Sequence, residues 1–417
     1  MSATLSTFLI DSFDSGSESI NETLPEVLHA IREHLGMDVA FVSEFREGRR
    51  FFRYVDSPHP NPPIAVGGSD LLEDSYCQRV LDGRLPELIH DATSLPAARE
   101  LPVTLALPVG AHVSIPIRLS DGRIYGTLCC FSFAPDVTLS ERDLALLRVF
   151  ADLTAKQIER DLRATQERQD IEDRIKAALR GNDLSIVYQP IVHLERNEVV
   201  GFESLSRFAL QPARTPDVWF REAAAVGLGV PLEAKAVRLA LQGCMHLPAP
   251  VYLSMNFSPE TIMSESLDSI LADAPLDRIV LEITEHDTIV HYTPLAQRLY
   301  PFRKKGLRIA VDDAGAGYAT FRHVLNLAPD IVKLDISLTR NIDTDKSRRA
   351  LAAALIRFSE ETDSKIVAEG VETVAELETL RELGVIKVQG YLLGRPMSLE
   401  AASKLYREGL APVLQSH

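Results

Sequence analysis

From about residue 184 onward the chain alternates short apolar runs with longer segments of helical periodicity, and no other feature narrows the accessible folds as much. Eight runs have the length and residue types of buried strands: 186–194, 199–205, 251–257, 278–284, 308–314, 331–336, 365–371 and 387–393. Helical segments such as 259–271, 293–305 and 346–360 separate most of them. That alternation is the pattern of a parallel sheet built with crossover helices. Eight strands within about 235 residues match a closed barrel better than an open sheet. The first two lie too close together for a crossover helix, so one strand should run antiparallel. The expected class is α/β, a TIM-like (β/α)8 barrel with one antiparallel strand.

The first third of the chain reads differently. Leu24, Leu28, Ile31 and Leu35 recur at helical spacing and stop at Gly36. Apolar, β-branched segments at 39–45, 51–55, 112–119 and 123–133 follow, punctuated by Gly, Pro and Asp, as in an antiparallel sheet flanked by helices. Ser140 and Asp143 form a capping signal for a further helix. In it Leu144, Leu147, Ala151, Thr154 and Ile158 step by three and four; the charged stretch 159–174 follows, with Ile171, Ile175 and Ala178 resuming the stepping. The expected organisation is a tail over 1–19, an α+β domain over 20–140, a connecting helix over 141–180 and the barrel over 181–417. The stripe is narrow enough to be either core on the domain's own sheet or a two-helix seam, and the seam, taken as the working expectation, predicts a parallel homodimer through this helix.

A chain of 417 residues has room for two or three domains. Its 44 Lys and Arg against 59 Asp and Glu give a net charge of −15, which disfavours sequence-independent binding to a DNA or RNA duplex or to an anionic membrane. Cys77, Cys129, Cys130 and Cys244 show no metal-binding or disulfide spacing, so a reducing compartment is expected. The first twenty residues carry Asp11, Asp14 and Glu18 but no Lys or Arg, unlike a secretory signal. The uncharged stretch 101–117 is broken by Pro102, Pro108, Gly110 and Pro116, so no membrane insertion is expected and the location reads as cytoplasmic.

The chemistry is written into the strands. Glu203, Asn256, Glu282, Asp312 with Asp313, Lys333 with Asp335, Glu369 and Gln389 each fall in the middle or later half of a predicted strand. One acid in a strand is more often a hydrogen-bonded rim residue than a ligand. Repetition on successive strands of a barrel, whose active sites occupy one end, reverses that reading. A buried carboxylate without a partner loses its charge, so several converging on one mouth demand cations. Oxygen donors without His or Cys suit hard divalent ions, Mg2+ or Mn2+. Two ions are expected: Asp312 and Asp313, adjacent at a strand end, can point to opposite sides and serve one ion each.

These residues resemble a known family. Gly201-Phe-Glu-Ser-Leu-Ser-Arg207, Leu281-Glu-Ile-Thr-Glu285, Asp312-Asp-Ala-Gly-Ala-Gly-Tyr318, Val332-Lys-Leu-Asp335, Val367-Ala-Glu-Gly-Val-Glu-Thr373 and Gln389-Gly-Tyr391, opened by Tyr188-Gln-Pro-Ile191, are similar to the motif set of EAL domain cyclic di-GMP phosphodiesterases. The resemblance implies hydrolysis of cyclic di-GMP to linear pGpG by two-metal catalysis. It makes Glu203, Asn256, Glu282, Asp312, Asp313 and Glu369 metal ligands. Lys333 would orient or polarise the attacking water, with Glu369 also a base and Glu203 counted with them as catalytic. Gln189, Gln389 and Arg207 would meet substrate or its water network, while Glu285, Asp335 and Glu372 would support the shell. The front of the chain, roughly 20–160, resembles a GAF domain, which implies control by a small ligand or a redox signal. Cys77 is a candidate thiol sensor there, set against the commoner reading of a buried apolar residue. His112 is a candidate haem ligand, set against a structural one.

Departures from the family pattern matter. Ser204 stands where Ala is usual, and strand alternation should turn it away from Glu203. Ala314, Ala316, Ala319 and Thr320 alter a loop that in the family links metal binding to dimer contacts. The alternative function is therefore a weak or silent cyclic di-GMP receptor.

Overall fold

The structure is a computed structural model, and it describes residues 20–284, 289, 291–315 and 320–410. Two compact units divide between Glu167 and Arg168. In the first, six strands form one sheet in the order β3-β2-β1-β6-β5-β4: β1 (Val39–Arg46), β2 (Arg49–Asp56), β3 (Ser69–Leu71), β4 (Leu88–Ile89), β5 (His112–Arg118) and β6 (Ile124–Phe131). The β1–β2 hairpin turns on Glu47 and Gly48, both at positive φ, the geometry a two-residue turn needs to match strand twist.

Each face of this sheet has its own core. On one, Leu24, Leu28 and Ile31 of the Ile20–Leu35 helix meet Ala40, Val42 and Cys130. On the other, Cys77 and Val80 of the Tyr76–Leu81 helix meet Phe41, Phe52 and Cys129. The neighbours Cys129 and Cys130 thus face opposite sides, as strand alternation requires.

The helix expected at 141–180 runs unbroken from Glu141 to Arg180. Its stripe is not a seam for a second chain. Leu144, Leu147, Ala151 and Ile158 are buried in the first unit's own core beside Phe150 and Ala155, and Thr154 is fully buried too. The spacing that suggested a partner helix is satisfied by the sheet beneath it. Further along the same helix, Ile175 and Ala178 pack with Leu184, Trp219 and Leu232 in the second unit.

The second unit is a closed eight-stranded barrel in the order β10-β11-β12-β13-β14-β7-β8-β9. Its strands are β7 (Leu184–His193), β8 (Glu198–Phe208), β9 (Tyr252–Asn256), β10 (Ile279–Thr284), β11 (Arg308–Ala314), β12 (Ile331–Leu334), β13 (Lys365–Ala368) and β14 (Lys387–Gln389). Strand β7 pairs antiparallel with both β8 and β14, and every other pairing is parallel. Among the described residues no helix is long and apolar enough to cross a membrane.

Candidate active site

The barrel interior is filled in layers. Ile191, Tyr252, Val280, Ala310, Ile331 and Val367, one from each of six strands, form a buried apolar cluster. Gly201 completes this level on β8, where a side chain would strike the Tyr252 ring at 2.6 Å. Side chains on a strand alternate, so positions two residues along face the same interior one level higher. Those positions are Glu203, Ser254, Glu282, Asp312, Lys333, Glu369, Gln389 and, on antiparallel β7, Gln189. One apolar floor thus supports one polar layer, and that layer contains most of the residues singled out from the sequence.

Lys333 stands at the centre of it, with only 2% of its side chain exposed. Its Nζ lies 2.7 Å from Glu369, 2.8 Å from Glu282, 3.1 Å from Asp312 and 3.7 Å from Glu203. The Ser254 hydroxyl donates to Glu282 Oε1 at 2.5 Å. The Gln389 amide donates to Glu203 Oε2 at 2.5 Å and to Gln189 Oε1 at 3.2 Å, and the Gln189 amide donates to the Gly394 carbonyl at 3.3 Å. Glu282 Oε2 is buried with no hydrogen-bond partner among the described residues.

Four carboxylates around one ammonium leave an excess of negative charge largely shielded from water. Burial, reinforced by Glu203 and Asp312, pushes Glu282 up to about 8 even though Lys333 pulls the other way. Burial and Asp312 hold Glu369 well above the carboxylate range. Lys333 is held well above its ordinary value because its four acidic neighbours outweigh its burial. Without cations the layer must hold protons instead.

Whether metal ions suit the site follows from the donors. Glu203, Glu282 and Asp312 form one group, and Asp312, Asp313 and Glu369 a second; within each, one oxygen per residue lies within 4.8 Å of the others. The groups share Asp312, every donor is a carboxylate oxygen, and one buried oxygen of Glu282 is unsatisfied. This donor set fits hard divalent cations.

Asp313 departs from simple strand alternation: its φ is +55° and the pairing of β11 with β12 slips at this place. The irregularity cancels one step of alternation and brings both carboxylates toward Glu369, with the Asp313 amide donating to Asp312 Oδ1 at 2.9 Å. Such strained backbone persists where surrounding structure fixes it.

Other expected residues lie elsewhere. Asn256 is exposed at the end of β9, one level above Ser254 and beside Glu282 in the β9–β10 register. Arg207 is exposed, donates to the Ser206 carbonyl at 2.8 Å, and lines a cavity of about 350 Å³ with Asn256, Phe220 and Phe257. Asp335 caps the Ile336–Thr339 helix by accepting from the Ser337 amide, away from Lys333. Glu372 is exposed and pairs with Arg340 at 2.6 Å. Glu285, Ala316 and Ala319 lie outside the described residues.

Three residues near the site escaped the sequence reading. Besides Ser254, the Thr339 hydroxyl donates to the backbone carbonyl of Glu369. Glu376, nearly fully buried, accepts from the amides of Asn341, Glu372 and Thr373 at 2.9, 2.9 and 3.0 Å. Burial works against its charge, but these donors hold its carboxyl below the usual range. Together they fix the segment that carries Glu369. The one available signal was the capping box of Thr373 with Glu376.

Comparison with known proteins places each of the two units. The EAL domain model matches residues 172–396 and the GAF domain model residues 17–159. The chain is 32% identical over 273 residues to the cyclic di-GMP phosphodiesterase NbdA of Pseudomonas aeruginosa, covering 61% of this chain and 34% of that protein. It is 30% identical over 241 residues to the oxygen sensor protein DosP of Escherichia coli, covering 54% of this chain and 30% of that protein. It thus spans about a third of the length of these curated relatives. Among solved structures, the PaMucR phosphodiesterase in complex with c-di-GMP superposes with a TM-score of 0.51 at 26% identity, covering 56% of this chain and 99% of that one. The EAL enzyme Bd1971, 17% identical, shares the fold over 89% of this chain and 93% of its own with a TM-score of 0.56. With the EAL model covering more than half of its length, the chain belongs to the EAL domain family.

Proposed function

We propose that this chain is a phosphodiesterase that hydrolyses cyclic di-GMP to linear pGpG with two Mg2+ or Mn2+ ions. The observation that carries the reading is the pair of carboxylate groups sharing Asp312 around a buried Lys333. The names of NbdA and of the PaMucR complex support the substrate. Glu203, Glu282, Asp312, Asp313 and Glu369 would hold the ions, with Asn256 reaching in from the rim. When bound, the ions would supply Lewis acidity at the scissile phosphate and lower the pKa of the attacking water.

The chain's own residues do the rest. Lys333 supplies a fixed positive charge amid the acids, positioned to orient a water or stabilise charge developing on phosphate. Gln389 and Gln189 hold Glu203 in one orientation. Arg207 presents its planar donors to a substrate phosphate, beside a cavity walled by Phe220 and Phe257 that suits an aromatic base. A complete acid set favours turnover over a silent receptor.

In this function the front domain controls the rate and the chain self-associates, the latter tested by sedimentation of the purified protein. The deciding assay is purified protein with cyclic di-GMP and Mg2+ or Mn2+, followed by chromatography. Linear pGpG is the expected product; bound but unchanged cyclic di-GMP would establish the receptor instead. Ca2+ as the sole divalent ion is expected to support no turnover, because its longer, more numerous bonds fit a two-ion clamp poorly.

A further inference from the structure

The front domain buries a second polar cluster, and the barrel chemistry makes no use of it. Cys77 and Cys129 are 52 residues apart in sequence, yet their sulfurs lie 3.5 Å apart. Arg50 Nη1 donates to Cys77 Sγ at 3.0 Å, and the Thr127 hydroxyl donates to it at 3.1 Å. Cys129 Sγ lies 3.2 Å from the hydroxyls of both Ser114 and Thr127. Arg50 is itself buried, ion-paired with Asp70 at 2.5 Å and stacked over Phe41 and Phe52. It also lines a cavity of about 370 Å³ with Asp70, Tyr76 and His112, so a small molecule entering there meets the group that touches Cys77.

The four cysteines of the chain are all free and fully buried, so exposure does not distinguish them. Their surroundings do. Burial opposes ionisation of Cys77, but the Cys129 hydrogen bond, the Arg50 charge and Thr127 prevail and bring its thiol down to about 5. Cys129 is held well above its ordinary value by burial and by Cys77, and burial pushes Cys130 up to about 12. One sulfur is therefore set up as a nucleophile and its neighbour as a protonated partner.

We propose that Cys77 and Cys129 form a peroxide-reactive dithiol that closes to a disulfide within the front domain. In the first step the Cys77 thiolate attacks one oxygen of a hydroperoxide. The S–O bond forms, the O–O bond breaks, and the departing alkoxide or hydroxide takes up a proton to leave as alcohol or water. In the second step Cys129 attacks the resulting Cys77 sulfenic acid. The S–S bond forms, the S–O bond breaks, and the leaving hydroxide takes the Cys129 proton as water. Two thiols lose two electrons and the peroxide gains them. Closure requires the sulfurs to approach by about 1.5 Å to reach disulfide length. Arg50, which itself lines the cavity, acts as a positioning residue by holding the thiolate; oxidation removes that negative charge and leaves the guanidinium to Asp70.

The test uses the reduced full-length chain treated with hydrogen peroxide and followed by intact mass and non-reducing peptide mapping. The expected result is loss of two hydrogens in mass, a Cys77–Cys129 linked peptide, and reversal by dithiothreitol. Cys77 should react about tenfold or more faster than Cys130 and Cys244, which are equally buried. Cys129→Ser should accumulate a single added oxygen on Cys77 in place of the disulfide. Arg50→Met should slow oxidation about tenfold while Arg50→Lys restores most of the rate, a pattern that a purely structural arginine would not give. Equal slow oxidation of all four cysteines in the wild-type chain, or a linkage involving Cys130 or Cys244, would overturn the proposal without recourse to any variant.

Discussion

Both units of this chain bury a cation among anions, and the charge balance differs between them. In the barrel Lys333 faces Glu203, Glu282, Asp312 and Glu369, four acids against one cation, a balance that only bound ions or protons can close. In the front domain Arg50 faces Asp70 and Cys77, a group that is neutral with the thiol and carries one negative charge with the thiolate. A closed account needs nothing from outside, whereas an open one calls for ions or protons. Buried polarity alone does not mark a ligand site; the sign and size of the remaining charge do.

The sharpest way to break this contrast is to remove negative ligands from the open cluster. Asp312→Asn and Glu369→Gln are each expected to lower turnover of cyclic di-GMP on the order of a thousandfold, about 4 kcal/mol, with the circular dichroism of the fold retained. Near wild-type rates at saturating metal would show that the ions, or the reaction, lie elsewhere.

Removing the cation comes next. Lys333→Met leaves the acids without their internal partner and should lower the stability of the metal-free chain by about 3 kcal/mol in denaturant melts. Mn2+ should recover most of that loss, because an ion that binds only the folded state stabilises it by mass action. The matching change Arg50→Met should gain nothing from Mn2+. If Mn2+ rescued both variants equally, or neither, the difference in charge balance would have no consequence.

A smaller effect is expected at Gly370, next to Glu369. Its φ is +67°, and an added Cβ would lie 2.3 Å from Ile336 Cγ1. Gly370→Ala should cost about 2 kcal/mol of stability and displace the neighbouring carboxylate enough to reduce turnover. Adding Ile336→Ala removes the clash and leaves the backbone strain, so partial recovery is the expected result. Full recovery in kinetic assays would make crowding the whole of the effect.

The barrel and its acids could be read from sequence because both rest on short-range regularities: apolar runs of strand length, and charged residues repeated near their ends. Asp313 could not be placed, since its orientation depends on a positive φ and a slipped register with β12. Ser254 and Thr339 were missed because a hydroxyl within a strand or a short helix carries no pattern. The 144–158 stripe was readable as apolar but not as to what covers it, and the sheet covers it. Cys77 was noticed singly, while its pairing with Cys129 and Arg50 exists only after a helix has packed on the sheet. Local periodicity predicts elements and levels; contacts between elements distant in sequence decide which polar groups meet.

The least effect is expected at Ser204, adjacent to Glu203, and it tests whether alternation alone separates a ligand from its neighbour. The Glu203 side chain turns into the barrel toward Lys333 and Gln389, while the Ser204 hydroxyl donates to the Ser254 carbonyl at 2.9 Å and borders the cavity beside Arg207. Ser204→Ala removes one neutral hydrogen bond, worth about 1 kcal/mol. It restores the residue usual in the family at this place. We expect kcat to change less than about twofold, because no charge near the reacting phosphate is touched, and KM to shift by at most a few-fold through the cavity wall. A loss of kcat comparable to that of Asp312→Asn would mean that the strand is rotated from the register seen here, and that the polar layer containing Lys333 is not the catalytic one.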